Sequence, residues 1–450
     1  MNKTQSLHGS KLNSETRTKV IKRHISLTFV YKVLAIGLSY FLVPLTINYL
    51  DIEQYGIWMT LLSVMSWVVF FDIGLGNGLR NKLTEALSVN DIKLAKTYVS
   101  TAYIAISFIA LLFFVILLAM LPVINWNKIF NTASVSNAEL LKLVFVVGFF
   151  FLFNFVLSLC NQMFYAYQEA SLTTMRQVLL NLIALVLIYI LIRYTSGRLL
   201  YLGACYGLSM AASNLVMIYY FFKKHKEVIP SLKWIDLNKI KDIATLGIKF
   251  FIIQIAALVI FATDNMIITQ VLGPAEVTPY NVVFKLFAII TFGYGIINAP
   301  IWSAYTNAYR TGDTKWMKNT LKQVKMIMIP IMIVVIILIA LARGIVNFWV
   351  GPQMKFSSLL VILTGIYVVI QVWSSIHATF VNGIGNIKVQ MYSAILAGVI
   401  NIPLSIYFSK YLSMGTPGVI LGTIISMSLF AIIGPIQIHY FFKNLKHKAR

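Results

Sequence analysis

Twelve long apolar stretches dominate this 450-residue chain and constrain its fold more than any other feature. A transmembrane helix needs roughly 20 mostly apolar residues, and each stretch is near or above that length. Charged residues make up only 11% of the chain and the mean hydropathy is +0.81, whereas a soluble domain carries about 25% charged residues. The chain is therefore predicted to be an all-α integral membrane protein, which excludes a soluble enzyme. The predicted spans lie near 25–50, 56–79, 98–121, 141–160, 176–194, 199–222, 243–272, 279–302, 322–348, 357–382, 390–410 and 417–442.

The basic residues predict the orientation of these spans, because Lys and Arg accumulate in cytoplasmic loops. With the N-terminus inside, 27 of the 37 basic residues fall in cytoplasmic segments and 7 fall in outer ones. Both termini are therefore predicted to be cytoplasmic. This asymmetry also accounts for the net charge of +23, so no nucleic-acid partner is expected. The cytoplasmic segments are the N-terminal tail, 80–96, 161–177, 223–242, 303–325, 383–389 and the C-terminal tail.

The longest basic connection, 223–242, divides the spans six and six. Asp91-Ile-Lys-Leu-Ala-Lys96 in the first half matches Asp313-Thr-Lys-Trp-Met-Lys318 in the second at an offset of 222 residues. An even number of helices gives both halves the same orientation, so the lobes are expected to be related by a pseudo-two-fold axis along the membrane normal. Such repeats usually place a substrate site between the halves. The predicted segments are a cytoplasmic N-tail (1–24), a six-helix lobe (25–222), a basic cytoplasmic linker (223–242), a second six-helix lobe (243–442) and a basic C-tail (443–450).

Charged residues inside predicted spans are the first candidates for a translocation path, since each costs about 2.5–3.5 kcal/mol at a helix centre on insertion scales. Lys32 and Asp72 lie at similar depths from the cytoplasmic side, and Asp264 and Lys285 lie at similar depths from the outer side. Matched depth predicts an ion pair in each case.

Two further residues have two interpretations each. Lys249 has no acidic residue at its depth, so it either snorkels to the cytoplasmic interface or lines an aqueous cavity as a free cation. His377 is a weaker candidate, because a hydrogen-bonded buried imidazole is commoner than a proton carrier. The prolines Pro44, Pro300, Pro330 and Pro403 also fall in spans and are expected to kink or unwind them.

Motifs for soluble cofactor chemistry are absent from the sequence. A Gly-x-x-x-x-Gly-Lys-Ser/Thr phosphate loop would indicate an ATPase, and a His-Glu-x-x-His pair would indicate a zinc enzyme. Neither motif occurs in the sequence. No cofactor and no catalytic residue are therefore predicted.

Several loose motifs resemble those of one transporter family. Leu50-Asp-Ile-Glu-Gln-Tyr-Gly-Ile-Trp58 and Phe71-Asp-Ile-Gly-Leu-Gly76 resemble the first-hairpin signature of bacterial polysaccharide exporters. Phe261-Ala-Thr-Asp-Asn-Met-Ile-Ile-Thr-Gln-Val-Leu-Gly273 with Tyr280-Asn281 resembles the signature of their second half, and Asn382-Gly-Ile-Gly-Asn386 fits the same pattern. The chain thus resembles the Wzx-type O-antigen and polysaccharide flippases of the multidrug/oligosaccharidyl-lipid/polysaccharide superfamily.

The resemblance implies a function and a location. Members of that family move undecaprenyl-pyrophosphate-linked oligosaccharide from the cytoplasmic to the periplasmic leaflet of the bacterial inner membrane, in lipopolysaccharide and other surface-polysaccharide biosynthesis. It also implies partners, namely the lipid-linked oligosaccharide, membrane lipids and polysaccharide-assembly proteins, with coupling to protons or sodium. Their cavities tend to be cationic, and here Lys32, Lys249 and Lys285 are the positions that could supply that charge.

Two other functions compete with this interpretation. A drug or cation antiporter of the same superfamily would favour carboxylates within the spans, whereas here three Lys face two Asp. A membrane polymerase or ligase of the polysaccharide pathway would carry a large outer loop with catalytic residues, but the longest outer loop, 122–140, has one acid and one base. The balance favours transport of an anionic cargo.

Overall fold

The computed structural model describes residues 14–68, 74–243 and 263–448, and every regular element in these ranges is helical. The sixteen α-helices are α1 (Ser14–Tyr49), α2 (Ile52–Val68), α3 (Leu75–Ser88), α4 (Ile92–Met120), α5 (Trp126–Phe130), α6 (Asn137–Leu157), α7 (Cys160–Ala166), α8 (Ser171–Tyr194), α9 (Leu199–Lys224), α10 (Asp264–Leu272), α11 (Val277–Arg310), α12 (Thr314–Met326), α13 (Met328–Trp349), α14 (Ser358–Gly383), α15 (Lys388–Ile406) and α16 (Thr416–Lys448). Helices suit a bilayer because each satisfies its own backbone hydrogen bonds.

Ten helical segments among the described residues are long and apolar enough to cross a membrane. The other two predicted spans, 56–79 and 243–272, include residues outside the described ranges. The predicted all-α, multi-pass membrane fold is confirmed. Pro330 also interrupts its span as expected, because α12 ends at Met326 and α13 begins at Met328, which places this proline in the first turn, where its missing N–H is not needed.

The chain forms two compact units that are each assembled from separated segments. The first unit contains the described residues of 1–45, 72–122 and 143–248, and the second contains those of 46–71, 123–142 and 249–450. The predicted boundaries of the two six-helix lobes stay a prediction.

The core of the first unit is built around α3, α4, α7 and the end of α9. Leu79, Leu83, Val99, Phe164 and Phe221 are completely buried there. Gly78 lies so close to the carbonyl group of Ile243 that a side chain at position 78 would overlap it. The core therefore ties the end of the basic linker to α3.

The basic linker is docked along α4 within the first unit. The backbone N–H of Ser231 donates to the Ser100 hydroxyl at 3.0 Å, and that of Asp236 donates to the Thr101 hydroxyl at 3.0 Å. The Lys96 ammonium lies 5.9 Å from the centre of the Trp234 ring. The segment predicted as a basic linker (223–242) is thus hydrogen-bonded to α4 of this unit.

An ion-pair cluster joins the end of α9 to the turn that precedes α8. The buried Glu169 carboxylate pairs with Lys224 and lies 3.5 Å from the His225 imidazole. Burial opposes ionisation of Glu169, but hydrogen bonds from His225 and Lys224 outweigh it and hold the pKa of this carboxyl below its usual value. The cluster links two chain segments that are 55 residues apart.

In the second unit, α14 and α15 each pack on α16, and α11 packs on α14. The segment after α4 also belongs to this unit. Glu53 accepts hydrogen bonds there from Thr132 at 2.5 Å and Ser134 at 2.8 Å, and the Asn131 amide donates to the Thr269 carbonyl at 3.0 Å. These bonds fasten the predicted outer loop to both α2 and α10.

The internal repeat is visible in the local geometry of the two matched motifs. Asp91 and Asp313 both cap the following helix, each accepting from the backbone N–H three residues later at 2.9 Å. Each is preceded by a residue with positive φ, Asn90 at 57° and Gly312 at 75°. The two turns are therefore copies at the same offset of 222 residues that the sequence motif indicated.

Candidate functional site

Among the candidate residues that the structure describes, Asp264 provides a buried carboxylate, at the start of α10 in the second unit. The residue is 7% exposed. The Tyr280 hydroxyl on α11 donates to Asp264 Oδ2 at 2.6 Å, and the Thr423 hydroxyl on α16 lies 3.4 Å from Oδ1. Three helices therefore converge on one carboxylate, and both hydrogen-bonding partners are neutral.

A second layer of oxygen atoms extends this site. Asn401 on α15 donates its amide to Thr423 Oγ1 at 3.1 Å, and its own Oδ1 is buried with no hydrogen-bond partner among the described residues. Ser405 donates to the Val419 carbonyl at 3.2 Å, and Gly422 allows α16 to approach Ser405 closely. Buried acceptors without donors are uncommon in native structures.

This arrangement suits a small cation or a proton. A carboxylate surrounded by hydroxyl, amide and carbonyl oxygens is the ligand type that hard cations prefer, and a proton on Asp264 would satisfy the same surplus of acceptors. No group of three or more His, Cys, Asp or Glu side chains that could hold a metal ion occurs in the described part of the chain. A transition-metal centre is not indicated there.

A chain of amides and hydroxyls runs from this site toward α2, inside the same unit. Asn281 donates to Asn265 Oδ1 at 2.8 Å, and Asn265 donates to the Ser63 hydroxyl at 2.6 Å. The Thr60 and Thr269 hydroxyls are 2.6 Å apart. These bonds fix the orientation of α10, and hence the position of Asp264, through α2.

The predicted ion pair between Asp264 and Lys285 is wrong. Both residues are described, and the groups within hydrogen-bond distance of the carboxylate are the two hydroxyls. Lys285 follows Tyr280 by five residues on α11, so its side chain is rotated by about 140° from that of Tyr280 around the helix axis. The prediction compared the depths of the two residues along their helices and did not take this rotation into account.

The other sequence candidates are placed separately. Lys32 is a partly exposed residue of α1 in the first unit. His377 is fully buried on α14, where its Nδ1 lies 2.7 Å from the Trp373 carbonyl. A carbonyl oxygen only accepts, so Nδ1 carries the proton, as in a structural imidazole. Asp72 and Lys249 lie outside the described residues, so the Lys32–Asp72 pair and the role of Lys249 stay predictions.

Sequence reasoning missed a pair of arginines in the first unit. Arg176 was assigned to the loop 161–177, but α8 begins at Ser171, which places Arg176 about 7.5 Å inside the helix. Arg80 on α3 lies over the ring of Tyr165, with its guanidinium carbon 4.7 Å from the ring centre. A signal that could have found Arg176 is the run Ser171-Leu-Thr-Thr-Met175 before it, which contains no helix-breaking Gly or Pro and so allows α8 to begin ahead of Arg176.

Comparison with known proteins places this architecture in a family. A family model described as "Polysaccharide biosynthesis protein" matches residues 21–306, well over half of the chain. The chain belongs to the polysaccharide biosynthesis protein family. This confirms the resemblance to Wzx-type polysaccharide flippases that the hairpin motifs indicated. A second model, described as MatE, matches residues 250–407, and both fit one transporter superfamily.

Relatives of this polysaccharide biosynthesis protein match it over nearly their whole length. A protein of Salmonella typhimurium named as an O-antigen transporter is 25% identical over 421 residues, covering 90% of this chain and 93% of that one. A protein of Yersinia pseudotuberculosis named as an O-antigen export protein is 22% identical over 407 residues, covering 88% and 90%.

Among solved structures, the fold matches an inward-facing multidrug resistance MATE family transporter of the MOP superfamily. The TM-score is 0.76 at 16% identity, covering 95% of this chain and all of that chain. At this identity the likeness concerns the fold alone.

Proposed function

We propose that this protein is a flippase for a lipid-linked oligosaccharide of surface-polysaccharide biosynthesis. In this proposal it moves the undecaprenyl-pyrophosphate-linked repeat unit from the cytoplasmic to the periplasmic leaflet of the bacterial inner membrane, with both termini cytoplasmic. Lys32, Lys249 and Lys285 contribute positive charge along the path of the anionic cargo. The protein transports the oligosaccharide and does not alter its covalent structure.

The observation that carries this proposal is the near full-length similarity to relatives named as O-antigen transporters. The multi-pass helical fold supports it, because a flippase needs a protein path across the bilayer. The charge balance within the predicted spans also supports an anionic cargo, since a pyrophosphate crossing hydrocarbon loses its hydration and needs compensating charge.

The site around Asp264 would couple transport to a cation. Asn401 Oδ1 is buried without a hydrogen-bond partner in the described part of the chain. In this proposal a sodium ion or a proton, bound by Asp264, Thr423 and Asn401, supplies the missing interaction. Coupling further requires that the site binds the cation more tightly in one conformation of the second unit than in another. A ligand shifts a conformational equilibrium only through such a difference in affinity.

A drug or cation antiporter is the second candidate. The MatE match over residues 250–407 covers Asp264, and a buried carboxylate with neutral partners suits a cationic substrate as well as a coupling ion. The two candidates differ in the phenotype of a strain without the gene.

The test is a deletion strain complemented with the wild-type chain or with variants. Loss of surface polysaccharide, with the lipid-linked unit accumulating on the cytoplasmic leaflet, is expected for the deletion strain. Normal polysaccharide in a strain with no second flippase would refute the assignment and promote the antiporter.

Lys249→Glu is expected to block export and Lys249→Arg to retain part of it, because Arg keeps the charge. Normal export by a well-expressed Lys249→Glu variant would leave only the snorkelling interpretation.

The coupling role is tested with Asp264→Asn against Asp242→Asn. Asn removes the charge of Asp264 but keeps its size, so export is expected to fall at least tenfold at equal protein abundance. Asp242 is an exposed carboxylate that pairs with Lys239 at 3.3 Å, and its variant is expected to export normally. Equal export by the two variants would remove the coupling role of Asp264.

A further inference from the structure

Arg176 in the first unit has no acidic partner among the described residues. Its Nε atom is buried and has no hydrogen-bond partner among the described residues. The titratable groups that interact electrostatically with it are Cys160, Tyr206 and Tyr165, and no described carboxylate forms an ion pair with it. By contrast, Lys224 in the same unit pairs with Glu169.

Tyr103 in the same unit also has a buried polar group without a described partner. Its hydroxyl on α4 has no hydrogen-bond partner among the described residues, and its side chain packs on the buried core that contains Cys160. Arg176 and Tyr103 thus each have an unused hydrogen-bond donor. A guanidinium has five N–H donors and no acceptor, so an anion is the ligand that would satisfy Arg176.

Tyr165 connects this region to the surface. The guanidinium carbon of Arg80 lies 4.7 Å from the centre of its ring, and Tyr165 also interacts electrostatically with Arg176. Arg80 is exposed, and the Tyr165 hydroxyl lies 3.4 Å from that of Thr173. Tyr165 thus lies against the exposed guanidinium of Arg80 and beside Thr173, which precedes Arg176 by three residues on α8.

We propose that Arg176 and Arg80 form a binding site for a phosphate group in the first unit, and that its ligand is the pyrophosphate of the lipid-linked cargo. The inference rests on the proposed flippase function. Arginine suits this ligand because its planar fork binds phosphate oxygens in pairs. The exposed Arg80 would meet the anion first, and the partly buried Arg176 would hold it.

The same chemistry could also recognise a phospholipid headgroup, and the experiment separates the two sources. The full chain is purified in detergent and titrated with farnesyl pyrophosphate, and the dissociation constant is measured by microscale thermophoresis. Phosphatidylglycerol is then added as a competitor. Binding that phosphatidylglycerol does not displace is expected. Displacement at equal concentration, or no binding to the wild-type chain, would overturn the proposal.

Variants of Arg176 test the residue itself, with Arg193 as the matched control. Arg193 is on the same helix and also lies over a tyrosine, with its guanidinium carbon 5.6 Å from the centre of the Tyr189 ring. Arg176→Gln is expected to weaken farnesyl pyrophosphate binding by about 10–100-fold, the range for losing a charged hydrogen bond. Arg193→Gln should bind as the wild type does. Equal dissociation constants for these two variants would refute the site.

Arg176→Lys keeps the test valid where the glutamine variant does not fold. It retains the charge but loses the planar fork, so binding is expected to weaken by about tenfold. Melting temperature and gel filtration establish folding of each variant. A folded Arg176→Lys or Arg176→Gln variant with wild-type affinity would overturn the proposal.

Failure of this inference can be told apart from failure of the proposed function. A deletion strain that regains surface polysaccharide equally with the wild-type chain and with Arg176→Gln would refute the role of Arg176 and leave the flippase assignment intact. A deletion strain that never loses surface polysaccharide would refute the flippase assignment, while the titration still reports whether Arg176 binds a phosphate.

Discussion

Among the glycines that the structure describes, Gly56 on α2 has the closest backbone contact, which offers a test of packing in the second unit. An ideal Cβ at this position would overlap the carbonyl oxygen of Pro274, which is a backbone atom and cannot rotate away. Gly56→Ala must therefore separate α2 from the turn before α11. Gly293 on α11 is the matched control, because no heavy atom lies within 4 Å of its ideal Cβ.

The magnitude of the effect follows from two opposing contributions. Overpacking a close contact costs about 1–3 kcal/mol, and a backbone obstacle places Gly56→Ala near the upper end. Alanine regains about 0.5–1 kcal/mol over glycine within a helix, so the net loss is about 2 kcal/mol. At roughly 2 °C per kcal/mol for a long chain, the melting temperature should fall by about 4 °C.

The assay is thermal unfolding of the purified protein in detergent, followed by intrinsic tryptophan fluorescence. Gly293→Ala should melt at or slightly above the wild-type temperature. If Gly56→Ala melts together with Gly293→Ala, the close approach of α2 to Pro274 is not a feature of the folded protein. The hydrogen bonds between α2 and α10 that position Asp264 would then lose their support as well.

Three further predictions concern other parts of the chain. Asp91→Ala and Asp313→Ala should each lower stability by about 1 kcal/mol in unfolding experiments, the usual value for an N-cap, because they cap copies of one turn; a loss at only one position would contradict the repeat. Since the pKa of Glu169 is lowered in the folded protein, its stabilising contribution is complete above the unfolded pKa of about 4.3 and disappears as the pH falls through the folded value. Glu169→Gln should therefore melt below the wild type at pH 7, with the difference vanishing in acid, and a difference independent of pH would contradict this. Reporter fusions at Ser134 and Lys233 should report the periplasm and the cytoplasm respectively, and the same side for both would reject the orientation.

The sequence predicted the parts of this structure that depend on composition along the chain. Hydrophobic length predicts a membrane span directly, because the bilayer sets it, and the Asp91 and Asp313 motifs marked real copies of one turn. Partners across helices were less accessible. Tyr280 and Thr423 reach Asp264 from positions 16 and 159 residues away, and depth alone does not specify the rotation of a helix about its axis. For that reason the sequence paired Lys285 with Asp264, although its side chain is on a different face of α11 from Tyr280.

The two candidate sites carry opposite charges and lie in different units. If the flippase is driven by a cation, binding of the cation at one site and of the anion at the other must be linked thermodynamically. If a cation at Asp264 drives movement of an anion bound at Arg176, the affinity for each ligand must depend on the other by the same factor. Couplings of this kind typically amount to about 5–150-fold. The dissociation constant of farnesyl pyrophosphate should therefore change when sodium is replaced by choline at constant ionic strength, which keeps charge screening equal, or when the pH is varied. Asp264→Asn should abolish that dependence while leaving a measurable pyrophosphate affinity, because Arg176 is untouched. A dependence of the same size in Asp264→Asn would show that the cation acts elsewhere, and no dependence in the wild type would mean that the flippase is not driven by either ion.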